Sequence, residues 1–295
     1  MTTASSTRLF VILARDGKSA VIFRRGPTRQ VLLIKWDLRR DTFELGQWFR
    51  GRIYERRCDL SPKGDYLIYF AAKHVGPFGT WTAISKPPYL TALALWPKGD
   101  AWGGGGMFDT EHAVQLNHSF RDEPPALADG YTNRLGPRVY PCGPQSGGGE
   151  DWAIYDRLLA RDGWTLTDRG LRSKTRIAKI SFGFERPIVH ERIAKSGNRL
   201  VMQIRGIGQQ NGARYWMDYQ VIGKKGQILS ELPRTDWADW HGSDLLFSKD
   251  GKLFRWKRGV MSAGLDAAAL TRGEIADFSA LRFEPRAAPA WATIW

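Results

Sequence analysis

The chain has 295 residues, of which 42% are hydrophobic and 25% charged, and it carries a net charge of +14. This composition excludes an intrinsically disordered chain. The two cysteines, Cys58 and Cys142, are too few for a disulfide framework or a four-cysteine zinc site. The positive charge favours an acidic partner, such as nucleic acid or an anionic surface, although a cationic surface without a specific partner explains it equally well.

The first residues predict where the protein resides. Residues 1–8 lack the basic-then-apolar pattern and cleavage site of a signal peptide. The apolar run at residues 9–14 is far shorter than the roughly 20 residues that span a bilayer. We therefore expect a cytoplasmic protein without a membrane span.

A turn containing glycine, followed by an apolar run, recurs along the chain. Asp-Gly or Lys-Gly between two apolar runs is typical of a β-hairpin, because glycine supplies the positive φ that such turns require. Uneven spacing of the copies indicates repeats with insertions between them. The clear copies occupy residues 14–23, 61–70, 194–202 and 248–256.

The middle of the chain differs from this pattern. Residues 121–149 are rich in Pro and Gly and predict a surface loop, because proline removes backbone donors from a central strand. Residues 150–161 place Trp, Tyr and Leu on one helical face and predict a helix, and residues 265–270 are a second, shorter candidate. We predict one domain over residues 1–295, with 121–163 as a loop-plus-helix insertion. A linker between two domains is the alternative.

Three segments resemble WD-repeat β-propellers. Val31–Asp41 is similar to the end of a blade, where a strand closes on a Trp-Asp pair. Arg57–Leu67 resembles the strand and Ser-Pro-Asp-Gly turn that open the next blade, with Lys63 in the place of Asp. Leu245–Trp256 resembles the same hairpin. The Gly-His dipeptide usual near blade starts is missing, so the chain would be a divergent member.

The resemblance implies an all-β propeller. At ~40–50 residues per blade, and with an insertion to accommodate, about five or six blades fit the chain. Residues 290–295 are then the candidate for a closing strand that pairs with residues 9–13. A pair of β-sandwiches with a helical insertion is the alternative architecture.

The densest group of metal-capable residues contains His112 and His118. In an extended strand these two positions share a face, because the side-chain period is two. Neutral imidazoles together with a carboxylate suit zinc or iron, and Asp109 and Glu111 are close in sequence. No third ligand is fixed by spacing, so polar positions of an ordinary strand are the competing interpretation.

Basic residues interleaved with aromatic ones form a second candidate site. Arginines hold phosphates and aromatic rings stack on bases, so the pattern is typical of nucleic-acid binding. Strand alternation, with aromatic residues inward and arginines outward, explains the same pattern without a ligand. The predicted binding residues of this group are Arg50, Arg52, Arg56 and Arg57.

Two further stretches combine polar groups with glycine or tryptophan. Trp240 and His241 lie in a turn-like stretch and are predicted binding residues, with hydrogen-bonded tethering of the turn as the alternative. No Gly-x-Ser-x-Gly elbow accompanies them. The glycine run 103–106 lacks the Lys-Ser/Thr ending of a phosphate-binding loop and favours a close backbone approach or a simple flexible turn instead.

Three functions are compatible with these patterns. The first is a non-catalytic propeller that presents a protein-binding or scaffolding surface, favoured because no catalytic motif is complete. The second is a propeller that binds nucleic acid through its basic turns. The third is a hydrolase or metal-dependent enzyme with its site at the channel mouth. Catalysis is left undecided, no cofactor is predicted, and the expected partner is another protein, with nucleic acid or another polyanion as the alternative.

Overall fold

The computed structural model describes residues 7–27, 29–135, 138–173, 182–208, 214–258 and 273–295. Within these ranges the regular structure is almost entirely β, with one α-helix, α1 (Trp152–Arg161), and two short 3-10 helices. The prediction of an all-β fold is therefore confirmed. The predicted helix at residues 265–270 lies outside the described residues. No helix in the described part of the chain is both long and apolar enough to cross a membrane.

The first two sheets are meanders in which neighbouring strands follow one another along the chain. Their central strands are buried along most of their length, as in β7, whereas every second residue of the edge strand β4 is half-buried and only Gly46 and Trp48 are buried. The first sheet has the order β1-β2-β3-β4, and the second has the order β5-β7-β8-β9 with β6 also paired to β7. The strands are β1 (Arg8–Leu13), β2 (Ser19–Arg25), β3 (Gln30–Asp37), β4 (Thr42–Arg50), β5 (Arg52–Ile53), β6 (Asp59–Leu60), β7 (Leu67–Ala72), β8 (Thr80–Ser85) and β9 (Ala94–Pro97).

The third sheet is shorter and contains one parallel pair. β10 pairs antiparallel with β11, and β11 pairs parallel with β12. β12 arises inside the segment predicted to be only a loop, and it takes an edge position, which is where a strand that ends on a proline is tolerated. These strands are β10 (Gly106–Thr110), β11 (Ala113–Leu116) and β12 (Arg138–Pro141).

The fourth and fifth sheets are again antiparallel meanders. The fourth has the order β13-β15-β16-β17-β18, with β14 also paired to β15, and the fifth has the order β19-β20-β21-β22. Their strands are β13 (Thr165–Asp168), β14 (Leu171–Arg172), β15 (Phe182–Ile193), β16 (Arg199–Ile207), β17 (Tyr215–Ile222), β18 (Ile228–Leu232), β19 (Trp237–His241), β20 (Asp244–Lys249), β21 (Lys252–Trp256) and β22 (Glu274–Asp277).

The predicted glycine turns join consecutive strands. Gly17, Gly64, Gly197 and Gly251 all have positive φ, between 69° and 84°, and each lies between two paired strands. Residues with a Cβ seldom adopt this region, so glycine at these positions sets where each hairpin reverses. The hairpin prediction is confirmed at all four sites.

The chain divides into two compact units. Unit 1 contains residues 1–10 and 159–281, and unit 2 contains residues 11–158 and 282–295. The boundaries fall inside β1 and inside α1. Single-domain organisation over residues 1–295 stays a prediction.

In unit 2, α1 covers part of the third sheet as the apolar pattern of residues 150–161 predicted. Ile154 and Leu158 form a buried cluster with Met107 of β10 and with Cys142. A second, larger buried cluster joins the second and third sheets through Trp96 and Phe108. Burial raises the pKa of the Cys142 thiol to about 12, so this cysteine packs as a small apolar residue.

The predicted closing strand at residues 290–295 is wrong. Ala290–Ala292 form a 3-10 helix instead. The Trp295 indole N–H donates to the Thr132 carbonyl at 2.8 Å, and Lys86 donates to the carbonyl of Ile294 at 2.8 Å. The Ile294 carbonyl, which a strand would use in a ladder, is thus engaged by the Lys86 side chain.

Candidate functional site

The four predicted binding arginines fall into two environments of unit 2. Arg50 and Arg52 flank Gly51 at the end of the first sheet, where Arg50 is exposed and Arg52 is half-buried. Arg56 and Arg57 lie in the 3-10 helix Glu55–Arg57 and are buried. The sequence pattern therefore could not distinguish the more accessible pair, Arg50 and Arg52, from the buried pair, Arg56 and Arg57.

Arg57 is a buried hub of hydrogen bonds. Its side chain is 1% exposed, and its Nε donates to Oδ1 of Asp151 at 2.6 Å, a carboxylate that is itself buried. Its Nη1 donates to the carbonyl oxygens of Ala101, at 2.8 Å, and Gly103. A buried charge that is paired and hydrogen-bonded in this way is a structural element, and removing one partner leaves the other uncompensated.

The two carbonyls held by Arg57 stand on either side of Trp102. Trp102 is 59% exposed, although tryptophan is usually buried for most of its surface. Its backbone N–H donates to Oδ1 of Asp100 at 2.8 Å, and Asp100 is paired with Lys98. Below it, Ala101 packs on Tyr54 and Phe70. An exposed indole is thus presented by a loop whose backbone is fixed on both sides. We call residues 100–103 with Arg57 and Asp151 the Trp102 platform.

Cations and apolar groups border the Trp102 platform. The guanidinium of Arg52 lies 4.3 Å from the ring centre of Tyr54, the same ring on which Ala101 packs. The β7–β8 hairpin approaches the platform at Thr80, whose hydroxyl donates to the Asp100 carbonyl at 2.6 Å. Val75, in the turn between β7 and β8, is 71% exposed. Tryptophan, arginine and exposed aliphatic side chains in one region are typical of a protein-binding surface.

The glycine run beside the platform is used internally. The amides of Gly103, Gly104 and Gly105 donate to Gly149 O, Asn117 O and the Thr82 hydroxyl at 2.7–2.8 Å. A Cβ at Gly104 would overlap the Phe70 ring, and one at Gly105 would overlap the Arg57 carbonyl. The run therefore permits the close backbone approach that the sequence favoured, and these three amides are not free to bind a phosphate.

The two predicted metal-binding histidines have different surroundings. His112 lies in the β10–β11 turn, is exposed, and its Nδ1 is 3.1 Å from the Leu135 carbonyl. His118 is 3% exposed, and its Nε2 is 2.8 Å from the hydroxyl of Thr82. The same hydroxyl also accepts the Gly105 N–H at 2.8 Å.

Burial lowers the pKa of His118 to about 4, and the charge of Lys98 acts in the same direction. Among the residues that the structure describes, no group of three or more His, Cys, Asp or Glu is placed to hold a metal ion. The metal site at His112 and His118 stays a prediction.

Trp240 and His241 lie in unit 1, on β19. Trp240 is buried and its indole N–H donates to the Arg192 carbonyl at 3.0 Å. Nδ1 of His241 accepts from Arg255 at 3.1 Å, and Arg255 also lies 3.4 Å from the Asp244 carboxylate. These contacts support the tethering interpretation of this turn. Binding by Trp240 and His241 stays a prediction.

A surface cleft of about 410 Å³ lies at the β1–β2 and β3–β4 turns of unit 2. Trp36 and Asp37, the pair that carries the WD resemblance, are among the residues that line it. The Trp36 indole donates to Asp41 at 3.0 Å, and Asp37 accepts the Arg39 amide at 2.9 Å. Both positively charged side chains and carboxylates line the cleft. The charge of the cleft therefore does not select one class of ligand.

Among solved structures, three distant likenesses illustrate what this chain resembles. No protein family model and no curated protein matches the chain. A structure of Kuenenia stuttgartiensis hydrazine synthase is 12% identical, with a TM-score of 0.34, and the match covers 92% of this chain and 84% of that one. A eukaryotic initiation factor is 10% identical over 94% and 77% of the two chains, with a TM-score of 0.25. The tricorn protease is 14% identical over 86% of this chain and 25% of its own, with a TM-score of 0.23. All three TM-scores are below 0.5, so no argument about function follows from them.

Trp102 is the residue of this site that sequence reasoning missed. It precedes a run of four glycines, which suggested a close backbone approach or a flexible turn and did not point to the tryptophan before it. The signal that identifies the site is a contact between distant positions, because Arg57 and Asp151 are separated by 94 residues.

Proposed function

We propose that this chain is a non-catalytic, β-propeller-like protein that docks a partner protein on the Trp102 platform. Support for propeller-like blades comes from successive meanders whose turns contact one another within unit 2. The Asp16 amide of the β1–β2 turn donates to the Pro62 carbonyl of the β6–β7 turn at 3.0 Å. The Lys63 amide of that turn donates to Glu111 of the β10–β11 turn at 2.5 Å.

The observation that carries the binding function is an exposed indole on a braced loop. Tryptophan is enriched among residues that dominate binding energy, and a side chain held in place before binding loses little entropy when the partner arrives. Arg57 and Asp151 supply this preorganisation from below. The apolar surface of Trp102 is available to the partner.

The surroundings define the chemistry of the partner. Arg52 lies over the Tyr54 ring on which Ala101 of the platform packs, and the chain as a whole is strongly cationic. A complementary surface therefore offers an apolar pocket for the indole within an acidic rim. The acidic rim raises the association rate and the pocket sets the residence time.

Photo-crosslinking tests this function in the cells that make the protein. A benzophenone amino acid at Val75, in the turn beside the platform, is expected to trap a protein at this surface. The yield should fall about thirtyfold when Trp102→Ala is added, which corresponds to a hot spot of about 2 kcal/mol. Trp102→Ala should leave thermal unfolding unchanged, because the side chain is exposed.

The matched control places the same crosslinker at Ile294, an exposed apolar residue of unit 2. Trapping at Ile294 should not depend on Trp102. Equal yields at Val75 with and without the indole would show that the platform is not the docking site.

A further inference from the structure

Unit 1 contains a strong concentration of positive charge. The segment between Asp168 and Asp218 carries eleven Lys and Arg side chains and only two Glu, which is nine of the fourteen net positive charges of the chain. Eight of the eleven are arginine. Arginine binds phosphate through a planar fork of donors, whereas lysine acts as a point charge.

Part of this charge is already neutralised. Arg186 lies 3.0 Å from Asp168, and Arg199 lies 3.0 Å from Glu191. Arg205 pairs with Asp218 at 2.5 Å. By contrast, Arg169 and Arg172 are exposed and have no carboxylate within 4.0 Å among the residues that the structure describes. These two guanidiniums remain available to an anion.

The available charge lies next to exposed aromatic surface. β14 pairs with the start of β15, with Arg172 opposite Phe184 and Leu171 opposite Arg186. Because paired residues share a face and the side-chain period is two, Arg172, Phe182 and Phe184 lie on one face. We call this set, with Leu171 and Arg186, the arm face.

The arm face breaks the usual alternation of buried aromatic and exposed basic residues. Phe182 is 42% exposed and Leu171 is 54% exposed. The guanidinium of Arg172 lies 3.9 Å from the ring centre of Phe182. In the segment 254–257, by contrast, Phe254 and Trp256 are buried and Lys257 is exposed. Strand packing alone therefore does not explain why Phe182 is at the surface.

We infer that the arm face binds single-stranded nucleic acid. Exposed rings stack on unpaired bases, and arginines without carboxylate partners bind the phosphates that follow. A duplex hides the faces of its bases, and an acidic protein offers carboxylates but no planar bases to the ring. This inference concerns unit 1 and is independent of the Trp102 platform.

Fluorescence anisotropy with labelled oligo(dT) of about 20 nucleotides tests the inference on the full chain. We expect binding at about 50 mM salt that weakens linearly with the logarithm of salt concentration, and a weaker complex with a duplex of equal length. Arg169→Glu combined with Arg172→Glu should reduce the salt slope by about 1.4 and the affinity at least tenfold. Phe182→Leu should reduce affinity about tenfold while leaving the salt slope unchanged.

The control pair is Arg39→Glu with Arg40→Glu, two exposed arginines of unit 2 that change the net charge by the same amount. This pair should retain most of the affinity. Equal losses from the two pairs, or no binding at low salt, would overturn the inference. Competition by polyglutamate as strong as that by oligo(dT) would also overturn it and would assign the arm face to an acidic protein. Trp102→Ala is expected to leave oligo(dT) binding unchanged, so the two proposals fail separately.

Discussion

Two arginine–aromatic pairs, one in each unit, show how the same residue types serve opposite roles. In unit 2, Arg57 lies 4.5 Å from the Tyr54 ring centre, is buried, and is neutralised by Asp151. In unit 1, Arg172 lies 3.9 Å from the Phe182 ring centre and is exposed, with no carboxylate partner in the part of the chain that the structure describes. The first pair holds a loop in place and the second offers charge to solvent. Proximity of arginine to an aromatic ring therefore does not identify a binding site unless burial and charge pairing are known.

The largest effect is expected from breaking the buried pair. Arg57→Ala leaves Asp151 buried without its partner and should lower the free energy of unfolding by about 3–5 kcal/mol. Arg172→Ala, its counterpart in unit 1, should change it by less than about 0.5 kcal/mol. Urea unfolding of the two variants measures both values. Similar losses of unfolding free energy in the two variants would show that Arg57 and Arg172 do not differ in structural role.

A double-mutant cycle sharpens this comparison. Arg57→Met combined with Asp151→Leu removes both charges together, so the double variant should be more stable than the sum of the two single losses predicts. Strict additivity in urea unfolding would mean that the two charges do not compensate each other in the folded protein.

The buried histidine of unit 2 predicts a pH effect of about 3 kcal/mol. In the folded chain the pKa of His118 is lowered from 6.5 to about 4, so the unfolded chain binds the proton more readily. Stability that is complete above pH 6.5 is therefore lost as the pH falls towards 4. The difference in unfolding free energy between wild type and His118→Gln should follow this window. A difference between the two proteins that does not change across this window would contradict the assignment.

A smaller effect separates tight packing from backbone conformation. Gly105 and Gly99 have nearly equal φ, 81° and 82°, but a Cβ overlaps the Arg57 carbonyl only at Gly105. Alanine at Gly99 should cost about 1 kcal/mol for the backbone alone. Alanine at Gly105 should cost about 2 kcal/mol more, because the main chain must shift. Equal thermal stabilities of the two variants would argue against close packing beneath the Trp102 platform.

Local patterns in the sequence predicted much of the fold. The glycine turns at Gly17, Gly64, Gly197 and Gly251 were found because positive φ is a local requirement. The apolar face of α1 was found because its period is local as well. The prediction of a strand at residues 290–295 was wrong. The apolar alternation of these residues could not reveal that Lys86 would donate to the Ile294 carbonyl or that the Trp295 indole would donate to the Thr132 carbonyl.

The candidate site was less predictable for the same physical reason. Arg56 and Arg57 lie in the same stretch of interleaved arginine and aromatic residues as Arg50 and Arg52, yet they are buried. What distinguishes Arg57 is Asp151, a residue from another part of the chain that no local pattern connects to it. Exposure of Trp102 and Phe182 depends likewise on which strands pack around them.

Chemical modification of arginine tests the contrast between the two units most directly. Phenylglyoxal reacts with accessible guanidinium groups, and mass spectrometry of the native full chain reads each site separately. We expect fast modification of Arg172 and protection of Arg57 until the protein unfolds. Modification of Arg57 at the rate of Arg172 in the native protein would contradict it.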